Sequence, residues 1–140
     1  MNPSGISYRL LRDPPEGELI SLYRTAEWIT SEDTPDRIRR LIKGSFLFCG
    51  AFDEAGHLVG SMRALSDGVS DAYLLDLVVA PAYRRMGIGG SILALLSDHL
   101  RSLGVDWIVL ASAPGTEPFY QTTGFRVMEG YVPYRLPEER

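Results

Sequence analysis

The chain has 140 residues, with 14 Lys and Arg against 18 Asp and Glu for a net charge of −4, and 45% of it is hydrophobic and 23% charged. That length and composition predict one globular domain over 1–140 with a real core, and the acidic balance argues against a nucleic-acid partner. No apolar run reaches membrane-spanning length, Met1 to Gly5 lack a basic-then-apolar leader, and the lone Cys49 excludes a disulfide framework or a metal cluster, so the expected setting is reducing and cytoplasmic, with no membrane and no metal.

In chain order, Ile6, Tyr8 and Leu10 alternate with polar neighbours and predict a short strand, which Pro14 and Pro15 end. Leu19, Leu22, Tyr23 and Ala26 fall at helical spacing. Thr34-Pro35-Asp36 opens a second helix, with Thr34 as N-cap, Ile38, Leu41 and Ile42 as the buried side and Gly44 as the stop. Ser45 to Phe52 is a dense apolar run expected as a central strand. Asp53 to Gly56 turns it into Leu58 to Leu65, and Asp67-Gly68 turns that into Ala72 to Val79, a meander of three strands. A helix follows with Ile88, Ile92, Leu95, Leu96 and Leu103 on its inner side, ending at Gly104. Trp107 to Ala111 is the next strand, Thr116-Glu117-Pro118 starts a short helix ended by Gly124, and Phe125 to Leu136 is expected to supply one or two closing strands.

The most informative segment is Val78-Val79-Ala80-Pro81-Ala82-Tyr83-Arg84-Arg85-Met86-Gly87-Ile88-Gly89-Gly90. An apolar strand leaves through a proline, passes two arginines and three glycines, and enters a helix. Glycines allow tight turns and close backbone approach, the helix start offers unpaired N–H donors and a positive dipole end, and arginines add forked permanent charge. That combination is an anion site, and a diphosphate fits it. A Walker loop is absent, and the dinucleotide fingerprint fails because the last glycine is missing and Pro81 to Met86 separate the glycines from the strand.

What remains, Arg84-x-x-Gly87-x-Gly89 behind Val78-Val79-Ala80-Pro81, resembles motif A of the GCN5-related N-acetyltransferases. The element order β-α-α-β-β-β-α-β-α-β is also that family's. The resemblance spans nearly the whole chain, most firmly Leu75 to Phe125, and implies an α+β fold: a mixed, mostly antiparallel sheet flanked by helices. It implies acetyl-CoA as cosubstrate, with Arg84, Arg85 and the amides of Met86, Gly87, Ile88, Gly89 and Gly90 on its diphosphate. Backbone groups of Leu77, Val78 and Val79 would align the pantetheine and polarise the thioester.

A second stretch, Pro118-Phe119-Tyr120-Gln121-Thr122-Thr123-Gly124-Phe125, looks like the family's Phe-Tyr-x-x-x-Gly-Phe segment. It implies Tyr120 as the general acid that protonates the departing thiolate, against the alternative of an aromatic plug, with Phe119 and Phe125 in the core. Some members carry a basic glutamate where this chain has Leu75. Asp76, next to it, is the remaining candidate for a base or substrate-orienting carboxylate. A regular strand aims it to the opposite face, and a β-bulge would re-aim it. Deprotonation through waters, or capture of neutral amine, would serve instead.

His57 and His99 read as solvated and structural, and Cys49 as a small core residue. Tyr23, Trp28, Tyr73 and Tyr131 read either as core or as the frame of an acceptor pocket. Leu22 to Trp28, Leu58-Val59-Gly60 and Ser66-Asp67-Gly68 are similar to a subgroup of small acetyltransferases related to the arylalkylamine and serotonin N-acetyltransferases, which implies a small-molecule amine as partner. Two rivals stay open: a non-catalytic acyl-CoA sensor, and acetylation of protein lysines or N-termini. A homodimer is common in the family and is also left open.

Overall fold

The structure, a computed structural model, describes residues 5–29 and 35–138. It divides into two compact units, Met1–Leu110 and Ala111–Arg140. The first holds β1 (Ser7–Leu11), α1 (Glu16–Thr25), α2 (Pro35–Gly44), β2 (Leu47–Phe52), β3 (Leu58–Ser66), β4 (Asp71–Val79), a single 3-10 turn at Pro81–Tyr83, α3 (Ile88–Ser102) and β5 (Trp107–Leu110); the second holds α4 (Glu117–Gln121). The five strands form one sheet in sequence order. Every neighbouring pair is antiparallel except β4 and β5, which run parallel. Parallel neighbours need a crossover, and α3 supplies it. The family resemblance in the sequence therefore anticipates the mixed sheet.

Each element follows from local chemistry. Helix α1 starts behind two prolines with Glu16 and Glu18 in its first turn and Arg24 in its last, the charge order its dipole favours. Glu27 sits at φ +61, a left-handed stop, and the Trp28 amide returns to the Tyr23 carbonyl at 3.2 Å. Pro35 opens α2 as expected, while the Thr34 cap lies outside the described residues. The β3–β4 turn is wound around Asp67, whose carboxylate accepts from the amides of Val69, Ser70 and Asp71 and from the Ser70 hydroxyl. Those bonds, the Ser70 hydroxyl first, hold its carboxyl well below the usual range.

Strand β2 is buried along its whole length, as a central strand with both faces covered should be. On one face, Phe48, Phe52, Leu58 and Val78 pack with Leu19, Leu22, Tyr23, Ile38 and Ile42 of α1 and α2. On the other lies α3: a Cβ added at Gly60 would stand 3.0 Å from Ile92 Cδ1 and 3.3 Å from Ile88 Cγ2. The buried side of α3 is Ile88, Ile92, Leu93, Leu96 and Leu100. Leu95 and Leu103, expected inside, are 41% and 44% exposed. At about 100° per residue Leu95 lies at the edge of the buried arc, and Leu103 follows the last helical residue.

The expected closing strands do not form. No strand occurs among the described residues after Leu110, and Val127, Val132, Tyr134 and Leu136 are largely exposed. Gly130 at φ +83 and the donor-less Pro133 interrupt the run. Phe119 and Phe125, expected in the core, are only half-buried.

Candidate active site

The corner between β4 and α3 is built step by step. The Ala80 amide extends the β3–β4 ladder onto the Val59 carbonyl at 2.8 Å. Pro81 then starts the 3-10 turn, closed by Tyr83 N–H on the Ala80 carbonyl at 2.8 Å. Arg84 folds back, its Nε donating to the Val79 carbonyl at 3.0 Å. Arg85 and Gly87 take left-handed backbone at φ +65 and +78, one on each side of Met86. Glycine adopts that region freely, and a left-handed residue beside ordinary ones turns successive amides toward one concavity. Helix α3 then begins at Ile88, and its first ladder bond runs from Ser91 N–H to the Gly87 carbonyl at 3.1 Å. Among the described residues no backbone carbonyl accepts from the amides of Arg85 to Gly90. A run of bare donors, two guanidinium groups and a helix N-terminus share one exposed corner. The segment singled out in the sequence thus folds as one strand-to-helix corner.

Strand β4 reaches this corner with one irregularity. Its pairing with β3 steps from Leu75 opposite Arg63 to Val78 opposite Ser61, so β4 carries one extra residue there. Asp76 lies in that bulge at φ +59. The bulge brings its carboxylate across to the α1–α2 face, where Arg63 Nε donates to Oδ2 at 2.7 Å. Arg63 Nη1 donates to Ser45 Oγ at 3.2 Å, and Ser45 Oγ donates to the Leu41 carbonyl at 2.7 Å. Neither Arg63 nor Ser45 was singled out by the sequence; the signal was a charged residue in the middle of a largely buried strand. On its other edge β4 is paired only from Asp71 to Leu74, opposite Trp107 to Leu110. From Leu75 to Val79 that edge has no partner strand among the described residues.

Tyr23 is buried beside this ion pair, and its hydroxyl makes no full hydrogen bond. Burial first, then the Asp76 carboxylate, push the phenol well above its ordinary range, against the opposing pull of Arg63. Trp28 meets the Tyr23 ring edge-on at 5.3 Å and is 44% exposed. Tyr73 instead lines a shallow depression of about 340 Å³ with Leu65, Trp107 and Val109, a lining that includes neither Tyr23 nor Trp28.

In the second unit, Tyr120 sits on α4, half-buried and edge-on to Phe119 at 4.9 Å. Burial raises its phenol above the ordinary value. His57 is exposed, its amide bound to Asp53 at 2.8 Å, and Cys49 is fully buried with its thiol pushed up to about 12 by burial. Among the described residues no helix is long and apolar enough to cross a membrane.

The family model described as "Acetyltransferase (GNAT) family" matches residues 8–125, and the chain belongs to that family. The chain is 36% identical over 93 residues to serotonin N-acetyltransferase 2, chloroplastic, of Oryza sativa, a match covering 64% of this chain and 46% of the rice protein. It is 27% identical over 111 residues to an uncharacterized N-acetyltransferase of Prochlorococcus marinus, covering 77% of this chain and 61% of that protein. The chain thus spans about half the length of the curated relatives it matches. A GNAT family acetyltransferase structure from Streptococcus pneumoniae superposes with a TM-score of 0.79 at 22% identity, covering 96% of this chain and 99% of that one.

Proposed function

We propose that this chain is an acetyl-CoA-dependent N-acetyltransferase that passes an acetyl group to a primary amine of a small molecule by direct attack. The observation that carries the reading is the corner after β4, where the amides of Arg85 to Gly90 meet no backbone acceptor among the described residues beside two arginines. Arg84, Arg85 and the amides of Met86, Gly87, Ile88, Gly89 and Gly90 hold the coenzyme diphosphate. Acetyl-CoA supplies a thioester. The free edge of β4 at Leu77, Val78 and Val79 aligns the pantetheine arm and donates to the thioester oxygen, which gains charge in the transition state. Asp76 orients the acceptor through the carboxylate oxygen that Arg63 leaves open. The neutral amine nitrogen bonds to the acetyl carbon, the C–S bond breaks, Tyr120 protonates the sulfur, and the proton that the nitrogen sheds returns through solvent to the Tyr120 phenolate. The likeness to the rice serotonin N-acetyltransferase supports a small arylalkylamine as acceptor. The free, buried thiol of Cys49 suits a reducing, cytoplasmic compartment.

Coenzyme release from acetyl-CoA against a panel of amines tests the reading, with turnover expected on an arylalkylamine. Binding without turnover on amines and peptides alike would favour the acyl-CoA sensor, for which the leucine at position 75 speaks. A bulky residue at Gly89 should abolish coenzyme binding in a folded protein, and normal binding would contradict the loop assignment.

A further inference from the structure

Strand β4 faces two alternatives. With one residue fewer in the bulge, Asp76 would point to the α3 face, where Leu74, Leu93 and Leu96 are buried. A slip of one position sends every following side chain to the wrong side, and Val78 would leave the core it shares with α1. The bulged register avoids this but needs a non-glycine residue in left-handed backbone at Asp76, which is uphill on its own.

We propose that Arg63 is a positioning residue that selects the bulged register of β4, and through it sets where the backbone of Leu77 to Val79 is presented. The pair is sheltered: the Arg63 side chain is 13% exposed and that of Asp76 28%. Arg63 is itself fixed, since Ser45 Oγ accepts from Nη1 and donates to the last turn of α2. The chain Leu41–Ser45–Arg63–Asp76 therefore ties the end of α2, the middle of β3 and the bulge together. Without the guanidinium the half-buried carboxylate loses the cation it is paired with, and the left-handed backbone loses its compensating bond. The functional part rests on the reading of β4 as the thioester-binding edge. The register part does not.

The test compares Arg63→Gln, Arg63→Lys and Ser45→Ala by amide hydrogen exchange, acetyl-CoA calorimetry and steady-state kinetics. In Arg63→Gln the amides of residues 76–79 should exchange about tenfold faster while those of β2 and α3 keep their protection. The kcat should fall about tenfold, with acetyl-CoA affinity within about threefold because the diphosphate loop is untouched. Arg63→Lys, which keeps the charge but not the fork, should recover part of both losses. Ser45→Ala should give a weaker version of each and serves if Arg63→Gln fails to fold. Unchanged exchange at 76–79, or uniform loss of protection across the sheet without rescue by lysine, would overturn the proposal. Local loss of protection in a protein that transfers acetyl to no amine would leave Arg63 in its role and remove the enzymatic reading instead.

Discussion

At the level of single residues, chemistry and packing separate cleanly. A phenol is protonated at neutral pH, and burial raises that of Tyr120 further, so it carries a proton to give. Tyr120→Phe should lower kcat by about 100-fold while leaving acetyl-CoA affinity unchanged, checked by steady-state kinetics beside calorimetry. Equal turnover would remove the phenol from the reaction. Tyr23 is the opposite case. Its hydroxyl is buried without a full hydrogen bond, so Tyr23→Phe should change unfolding free energy by less than about 1 kcal/mol, measured by denaturant titration. A cost well above that would reveal a strong bond to Arg63 or Asp76. Cys49 has its thiol raised from 9.0 to about 12. A raised value means that the unfolded chain ionises first, so stability is complete below pH 9 and falls as pH rises toward 12. The slope should be at most about 1.4 kcal/mol per pH unit from this group and smaller in Cys49→Ala. Identical slopes in denaturation at pH 8 to 11 would contradict the burial argument. The loop residues were legible because glycine and arginine spacing writes backbone geometry and charge directly into the sequence. Arg63 was not, because an arginine inside a strand declares its partner only once the register is known.

At the level of elements, the strands and helices up to β5 follow the periodic pattern closely, and the departures have physical causes. Phe125 to Leu136 is expected to close the sheet, but Pro133 and Gly130 break the run and most of its apolar residues stay exposed. The bulge at Asp76 was conceivable from sequence, since a carboxylate on the wrong face needs re-aiming. Its presence is decided by pairing with Arg63 and by the place of Val78 in the core. The α3–sheet contact carries a further prediction. Gly60 lies against Ile88 and Ile92 in the first turns of α3, the helix whose N-terminus is the proposed diphosphate corner. Gly60→Ala should cost about 1–3 kcal/mol of stability and weaken acetyl-CoA binding, as the helix start is displaced by a few tenths of an ångström. A fully stable variant with unaltered affinity would show that α3 does not fix the corner.

At the level of the whole molecule, charge distribution matters more than charge sum. The chain carries a net −4, yet the corner after β4 combines Arg84, Arg85 and a helix N-terminus. The basic residues of α2 are partly balanced, Arg39 by Glu16 at 3.1 Å and Arg40 by Asp36 at 3.0 Å. On the proposed reading a polyanionic coenzyme is drawn to the corner, and its affinity should fall as salt is raised, because screening acts strongly on exposed charges. The most direct test of the central claim is titration calorimetry of the purified chain with acetyl-CoA. Saturable heat for one site per chain is expected, weakened by salt and lost when Gly89 is made bulky. No heat at millimolar acetyl-CoA would contradict it.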